Sequence, residues 1–270
     1  LASEQDYANK RLLARSYFTL GKSLNEIEDY IEACKQYRKS IQLQEALHRN
    51  GELHDQRGLA ISYHNLAWSM RKCKQYAESI DFFQKAIFLF EQLEYEEKQD
   101  NRRLLDFSYF WLAETLHNVN KSSEAIVYFE KAISIEEELD SKNLLEDRNS
   151  LAITYHNLAC VLGDINMYAE AISYYRKAIA VREQLYSYGN LLDSYSLAAS
   201  YHNLAYDLNR TGNHIDAIAN YKKAIVIREQ LLNEGKLSNK NGLARSYFLI
   251  ADVYHSLNDN EEALLYLERA

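Results

Sequence analysis

The hexapeptide Leu13-Ala-Arg-Ser-Tyr-Phe returns as Leu59-Ala-Ile-Ser-Tyr-His, Leu105-Asp-Phe-Ser-Tyr-Phe, Leu151-Ala-Ile-Thr-Tyr-His, Leu197-Ala-Ala-Ser-Tyr-His and Leu243-Ala-Arg-Ser-Tyr-Phe. The interval is a uniform 46 residues, with no gap. Self-similarity at a fixed period of this length is the mark of a stacked array, in which each unit buries its apolar face against its neighbours. Across 270 residues there are eight glycines and no proline. Both residues interrupt helices, so their scarcity makes long helices the expectation.

Three positions in the unit take small residues. The first holds Gly21, Ala67, Ala113, Ala159, Ala205 and Ala251, and the second Ala33, Ser79, Ala125, Ala171, Ala217 and Ala263. The third holds Ser40, Ala86, Ala132, Ala178, Ala224 and Ala270. Two helices approach closely only where the side chains at their crossing are small. Large residues recur beside them at helical spacing: Tyr17, Tyr63, Tyr109, Tyr155, Tyr201 and Tyr247, then Tyr37, Phe83, Phe129, Tyr175, Tyr221 and Leu267. Each unit is therefore expected to be two amphipathic helices joined by a turn.

Small residues twelve and then seven positions apart, with an aromatic residue three before the last, resemble the tetratricopeptide (TPR) signature along the whole chain. The resemblance implies an all-α fold, a right-handed superhelical solenoid of six helix-turn-helix repeats with the sixth truncated, as one domain spanning residues 1–270. The usual TPR unit has 34 residues and a proline closing its second helix. This unit is longer, with Glu183 and Glu229 at the proline position, so the second helix should run on through Ile179–Leu185 and its equivalents. Extended units of this length resemble kinesin light chains and bacterial sensor-type arrays.

Asn120, Asn166, Gly212 and Asn258 share one position after the first helix, where a left-handed residue is expected. An acidic residue then opens every second helix: Glu32, Glu78, Glu124, Glu170, Asp216 and Glu262. Each suits the helix dipole by roughly 0.3–1 kcal/mol. Between units, Leu53, Leu145, Leu191 and Leu237 are expected to pin the connection. The polar stretch 94–103 is expected to be the most mobile joint.

In such an array the first helices line the binding surface. Two residues before the first small position come Asn65, Trp111, Asn157 and Asn203, preceded by His64, Phe110, His156 and His202. The resemblance implies that Asn65, Asn157 and Asn203 bond the backbone of an extended peptide, since an amide side chain offers both donor and acceptor. The alternative is that they bond neighbouring helices and set the stacking register. The histidines likewise read either as ligand contacts or as rings packed where other units place Phe. One turn on lie Trp68, Glu114, Cys160, Tyr206 and Asp252, a variable set that could read one partner. Arg71, Arg210 and Arg245 stand nearby. The expected face carries six basic and four acidic residues, which favours acidic or neutral partners. Trp68, Phe107 and Trp111 are candidates for an aromatic hot spot. Cys160 near His156 could pass for a nucleophile, but packing is the simpler reading.

A net charge of −8 and a pI near 5.6 argue against nucleic acid as the partner, since that binding relies on clustered Lys and Arg. No apolar run is long enough for a membrane span. Three widely spaced cysteines fit neither a disulfide framework nor a zinc site and suit the cytoplasm. Phosphate-loop, metalloprotease and hydrolase motifs do not occur. The sequence thus points to a non-enzymatic scaffold that holds a protein or peptide, with no cofactor and no metal. Two alternatives stand beside it: a sensor segment of a larger signalling or defence protein, and an oligomerising array that self-associates through its C-terminal end.

Overall fold

The computed structural model describes residues 2–49, 55–93, 99–187, 194–237 and 240–270. These form twelve helices, with no strand among the described residues. In chain order they are α1 (Ala2–Glu26), α2 (Tyr30–Arg49), α3 (Gln56–Lys72), α4 (Tyr76–Leu93), α5 (Gln99–Asn118) and α6 (Ser122–Ser141). There follow α7 (Arg148–Asp164), α8 (Tyr168–Ser187), α9 (Ser194–Arg210), α10 (His214–Asn233), α11 (Asn241–Ser256) and α12 (Asn260–Leu267). Odd helices contain the repeated hexapeptide and even helices begin near the shared acidic residue, so every copy is a helical hairpin.

The chain divides into two compact units, Leu1–Ile135 and Glu136–Ala270, with the division inside α6. In the first unit α1 pairs with α2 and α3 with α4, while α2 packs on α3 and α4 on α5. In the second, α7 pairs with α8, α9 with α10 and α11 with α12, while α8 packs on α9 and α10 on α11. Each unit is a solenoid of stacked hairpins.

The small positions lie where helices cross. Ala67, Ala113, Ala159 and Ala205 are fully buried, as are Ala33, Ala125, Ala171 and Ala217. Where serine takes an alanine's place, its hydroxyl donates to the facing backbone: Ser40 to Ala14 O at 2.8 Å and Ser79 to Ala67 O at 2.7 Å. Tyr37, Phe83, Phe129, Tyr175 and Tyr221 fill the space beside them. Burying a side chain of this size contributes about 1.5–3 kcal/mol. Ala270, at the last of these positions, is exposed.

The turn position is left-handed in all six copies, with φ of 62° at Glu28, 61° at Lys74, 60° at Asn120, 63° at Asn166, 81° at Gly212 and 61° at Asn258. Lys74 and Glu28 take the same conformation without the residue types that favour it. Lys74→Gly is therefore expected to stabilise the α3–α4 hairpin by about 0.5–1 kcal/mol, read as slower amide exchange at its turn. Of the leucines between units, Leu237 is buried and Leu145 half-buried. Leu53, Leu191 and residues 94–98 of the polar joint lie outside the described residues.

The second helices do run on, and the glutamate at the proline position acts there. Tyr63 OH donates to Glu45 at 2.7 Å, Tyr109 to Glu91 at 2.5 Å and Tyr155 to Glu137 at 2.5 Å. Tyr201 and Tyr247 bond Glu183 and Glu229 in the same way. A lysine forty residues on completes the clasp: Lys131 reaches Glu91 at 3.3 Å and Lys177 reaches Glu137 at 3.1 Å. Lys131, Lys177 and Lys223 also stand 5.0, 5.0 and 4.8 Å from the centres of the Tyr109, Tyr155 and Tyr201 rings. Each clasp ties a second helix to the next first helix, through a buried tyrosine and half-exposed charges, with a hydrogen bond worth about 1 kcal/mol.

Candidate functional site

The three histidines occupy one structural slot. His64, on α3, sets its ring edge-on to Phe83 with centroids 5.5 Å apart, and its Nδ1 lies 2.8 Å from Ser108 Oγ on α5. His156 meets Tyr175 at 5.4 Å and Ser200 Oγ at 2.9 Å. His202 meets Tyr221 at 5.5 Å and Ser246 Oγ at 2.8 Å. Phe18 and Phe110 fill the same slot against Tyr37 and Phe129. Burial holds the His64 imidazole down at about 4 and those of His156 and His202 at about 3, so all three are neutral at pH 7. Each ring thus bonds its own hairpin to the next. The serine of the repeated hexapeptide is its partner and also receives a buried arginine: Arg182 donates to Ser200 Oγ and Ser196 O, and Arg228 to Ser246 Oγ and Gly242 O.

The asparagines sit beside these rings, on α3, α7 and α9, each half-buried. Asn65 Nδ2 donates to Ile61 O at 2.9 Å, in its own helix, and Asn203 Nδ2 approaches Cys160 Sγ at 3.5 Å. Cys160 also accepts from Tyr175 OH at 3.2 Å and lies 3.6 Å from His156 Nε2. Burial pushes its thiol up to about 11, so it stays protonated at neutral pH beside a neutral imidazole.

In the first unit the expected aromatic residues take separate partners. Trp68 meets Tyr30 edge-on at 5.5 Å, with Lys72 Nζ 5.1 Å from its ring centre. Trp111 meets Phe110 at 4.9 Å, and the Arg71 guanidinium lies over it at 4.7 Å while bonding Glu114 at 3.1 Å. Burial pushes the Glu114 carboxyl up, and Arg71 opposes that shift. Phe107 is exposed.

The second unit brings four of the expected residues together. His202, Asn203, Tyr206 and Arg210 of α9 line a cavity of about 360 Å³, closed on one side by Cys160, Gly163 and Asp164 of α7 and reached by Arg245 of α11. Arg210 Nε donates to Tyr168 OH at 3.3 Å at its edge. His156 and Asn157 do not line it. Asp207 does, and sequence reasoning missed it. It is 3% exposed, and its Oδ2 is buried without a hydrogen-bond partner. Burial first, and then Asp164, push its carboxyl up to about 7. The signal was there in the repeat: the buried equivalents of Asp207 are Ser69, Thr115, Val161 and Val253, none of them charged.

A tetratricopeptide-repeat family model matches residues 107–184 and 196–270, and two further tetratricopeptide-repeat models match 59–93 and 14–47. The chain belongs to the tetratricopeptide repeat family. Among solved structures, BtubC (BKLC) from P. vanneervenii is similar over 87% of this chain and 87% of its own, at 21% identity and a TM-score of 0.65. A Podosopora anserina putative kinesin light chain with nearly identical TPR-like repeats is similar over 83% of this chain and 98% of its own, at 18% identity and a TM-score of 0.62. YrrB, described as a TPR protein with an unusual peptide-binding site, covers 78% and 84% at 19% identity with a TM-score of 0.53. At these identities the likeness is one of fold. No curated protein matches the chain. The tetratricopeptide repeats contain no group of three His, Cys, Asp or Glu that could hold a metal, and no helix long and apolar enough to cross a membrane, among the described residues.

Proposed function

We propose that this tetratricopeptide-repeat chain is a scaffold that holds an extended polypeptide along its first helices. The observation that carries the reading is the polar cavity between α7 and α9. It is rimmed by side chains that offer donors and acceptors to a backbone, whereas the second helices present clasped glutamates and solvated charges. YrrB, a similar fold, is described as having a peptide-binding site. Asn157 and Asn203, with Asn65 in the first unit, grip peptide units in a way indifferent to sequence. Trp68, Arg71 and Trp111 read side chains in the first unit, and Tyr206 and Arg210 do so in the second. The exposed Arg210 and Arg245 favour acidic or neutral stretches lying across the rim.

In a peptide array, the Asn157→Ala, Asn203→Ala double variant is expected to bind about thirtyfold more weakly, at roughly 1 kcal/mol per net hydrogen bond. Unchanged binding with unchanged helicity would remove the asparagine grip.

A further inference from the structure

Two departures from the repeat coincide at one contact. The first is Asp207, a carboxylate where the other buried copies are neutral. The second is Gly163, whose equivalents are Asn25, Arg71, His117, Asn209 and His255. The two positions face one another across neighbouring hairpins: a Cβ built on Gly163 would lie 3.1 Å from Asp207 Oδ2. Between the first and second repeats the same contact is satisfied from within, since Ser69 Oγ donates to Asn25 Oδ1 at 2.9 Å. Between the fourth and fifth repeats the glycine removes the side chain that would face the carboxylate. What remains is a cavity lined in part by Asp207, whose Oδ2 is buried without a hydrogen-bond partner.

A buried carboxylate left without a donor costs free energy that the repeat avoids elsewhere by using Val, Thr or Ser. Local rules broken together at one place are expected at functional or strained sites. A partner for this carboxylate has to bring hydrogen-bond donors and positive charge, and it has to pass the exposed guanidiniums of Arg210 and Arg245. A compact ammonium on an unbranched chain meets these needs better than a planar guanidinium, because its charge is concentrated and its stem slender.

We propose that the cavity between α7 and α9 is a subsite for a primary ammonium group of the bound polypeptide, which donates to Asp207 beside Asp164. This rests on the polypeptide-binding reading and deepens it. The rim arginines take the carbonyl or carboxylate groups that flank the ammonium, so the subsite selects a single cation within an otherwise neutral or acidic stretch. A lysine side chain and a free N-terminus carry the same chemistry, and the test separates them.

The probe is Nα-acetyl-lysine-N-methylamide, titrated into the whole chain labelled with 13C at aspartate carboxyl carbons. The Asp207 resonance is assigned by its loss in Asp207→Val, which installs the residue of the fourth and sixth repeats and is expected to fold. The lysine probe is expected to move that resonance saturably, whereas Nα-acetyl-norleucine-N-methylamide does not. Gly163→Asn, which restores the first repeat's residue and leaves the carboxylate in place, is expected to abolish the response. No movement with the lysine probe together with no preference for either amine pool, or equal movement with norleucine, overturns the subsite.

Hexapeptide pools extend the test. Acetylated pools with one fixed lysine and lysine-free pools with a free N-terminus are each compared with an acetylated norleucine pool. At least one amine pool is expected to bind about tenfold more tightly, with the preference erased by Asp207→Val. The pool that shows it identifies the source. Pools retained without any amine preference overturn the subsite and leave the peptide groove standing. A saturable response to the lysine probe with no pool retained upholds the subsite and overturns the groove.

Discussion

Asp207→Val is expected to stabilise the α7–α11 region by about 3 kcal/mol near pH 8 and by much less near pH 4. The Asp207 carboxyl is raised to about 7 in the folded chain, whereas an unfolded aspartate titrates near 3.9. Between those values the folded state binds more protons than the unfolded one. Stability therefore falls as pH climbs through that window, and the full penalty is present above pH 7. Valine removes the penalty and matches the residue at 161 and 253. Because stacked repeats can open one at a time, the readout is amide-exchange protection in α7, α9 and α11 rather than a single melting temperature. Equal protection gained at both pH values would mean that Asp207 is not ionising against a buried background.

The histidines produce the opposite dependence. His64, His156 and His202 are held at about 4, 3 and 3 in the folded chain, against about 6.5 unfolded. Below pH 6.5 the unfolded chain takes up protons that the folded chain refuses, so stability is complete above that value and is lost on acidification. Two of the rings are half-buried, which moderates the effect to on the order of 1 kcal/mol per ring near pH 5. The triple His→Phe variant borrows the residue found at positions 18 and 110, and it is expected to flatten the acid limb of the unfolding curve. A limb as steep as that of the unmodified chain would assign acid sensitivity to other groups.

The repeat made much of this fold legible. A 46-residue period fixed the phase of both helices, and four Asn or Gly residues marked a turn that proved left-handed at Glu28 and Lys74 as well. The absent proline announced the longer second helix. What the period could not convey is which residues meet across hairpins. The Tyr–Glu clasp joins residues 18 apart, and the His–Ser bond joins residues 44 apart. Such partners are set by how the helices cross, whereas spacing within one helix reveals only a shared face. The same limit hid the cavity. Asp207 and Gly163 each depart from their repeat equivalents, but only the facing of α7 and α9 joins the two departures beside one cavity, with a carboxylate oxygen left unpartnered.

Hydrogen exchange reports whether a polypeptide lies on the first helices. The tightest peptide from an amine pool is added to the whole chain, and protection is mapped residue by residue. Protection is expected on α7 and α9 around Asn157, Asn203 and Asp207, with α8 and α10 unchanged. Protection confined to the second helices, around Val226 and Lys222 on α10, would contradict that placement.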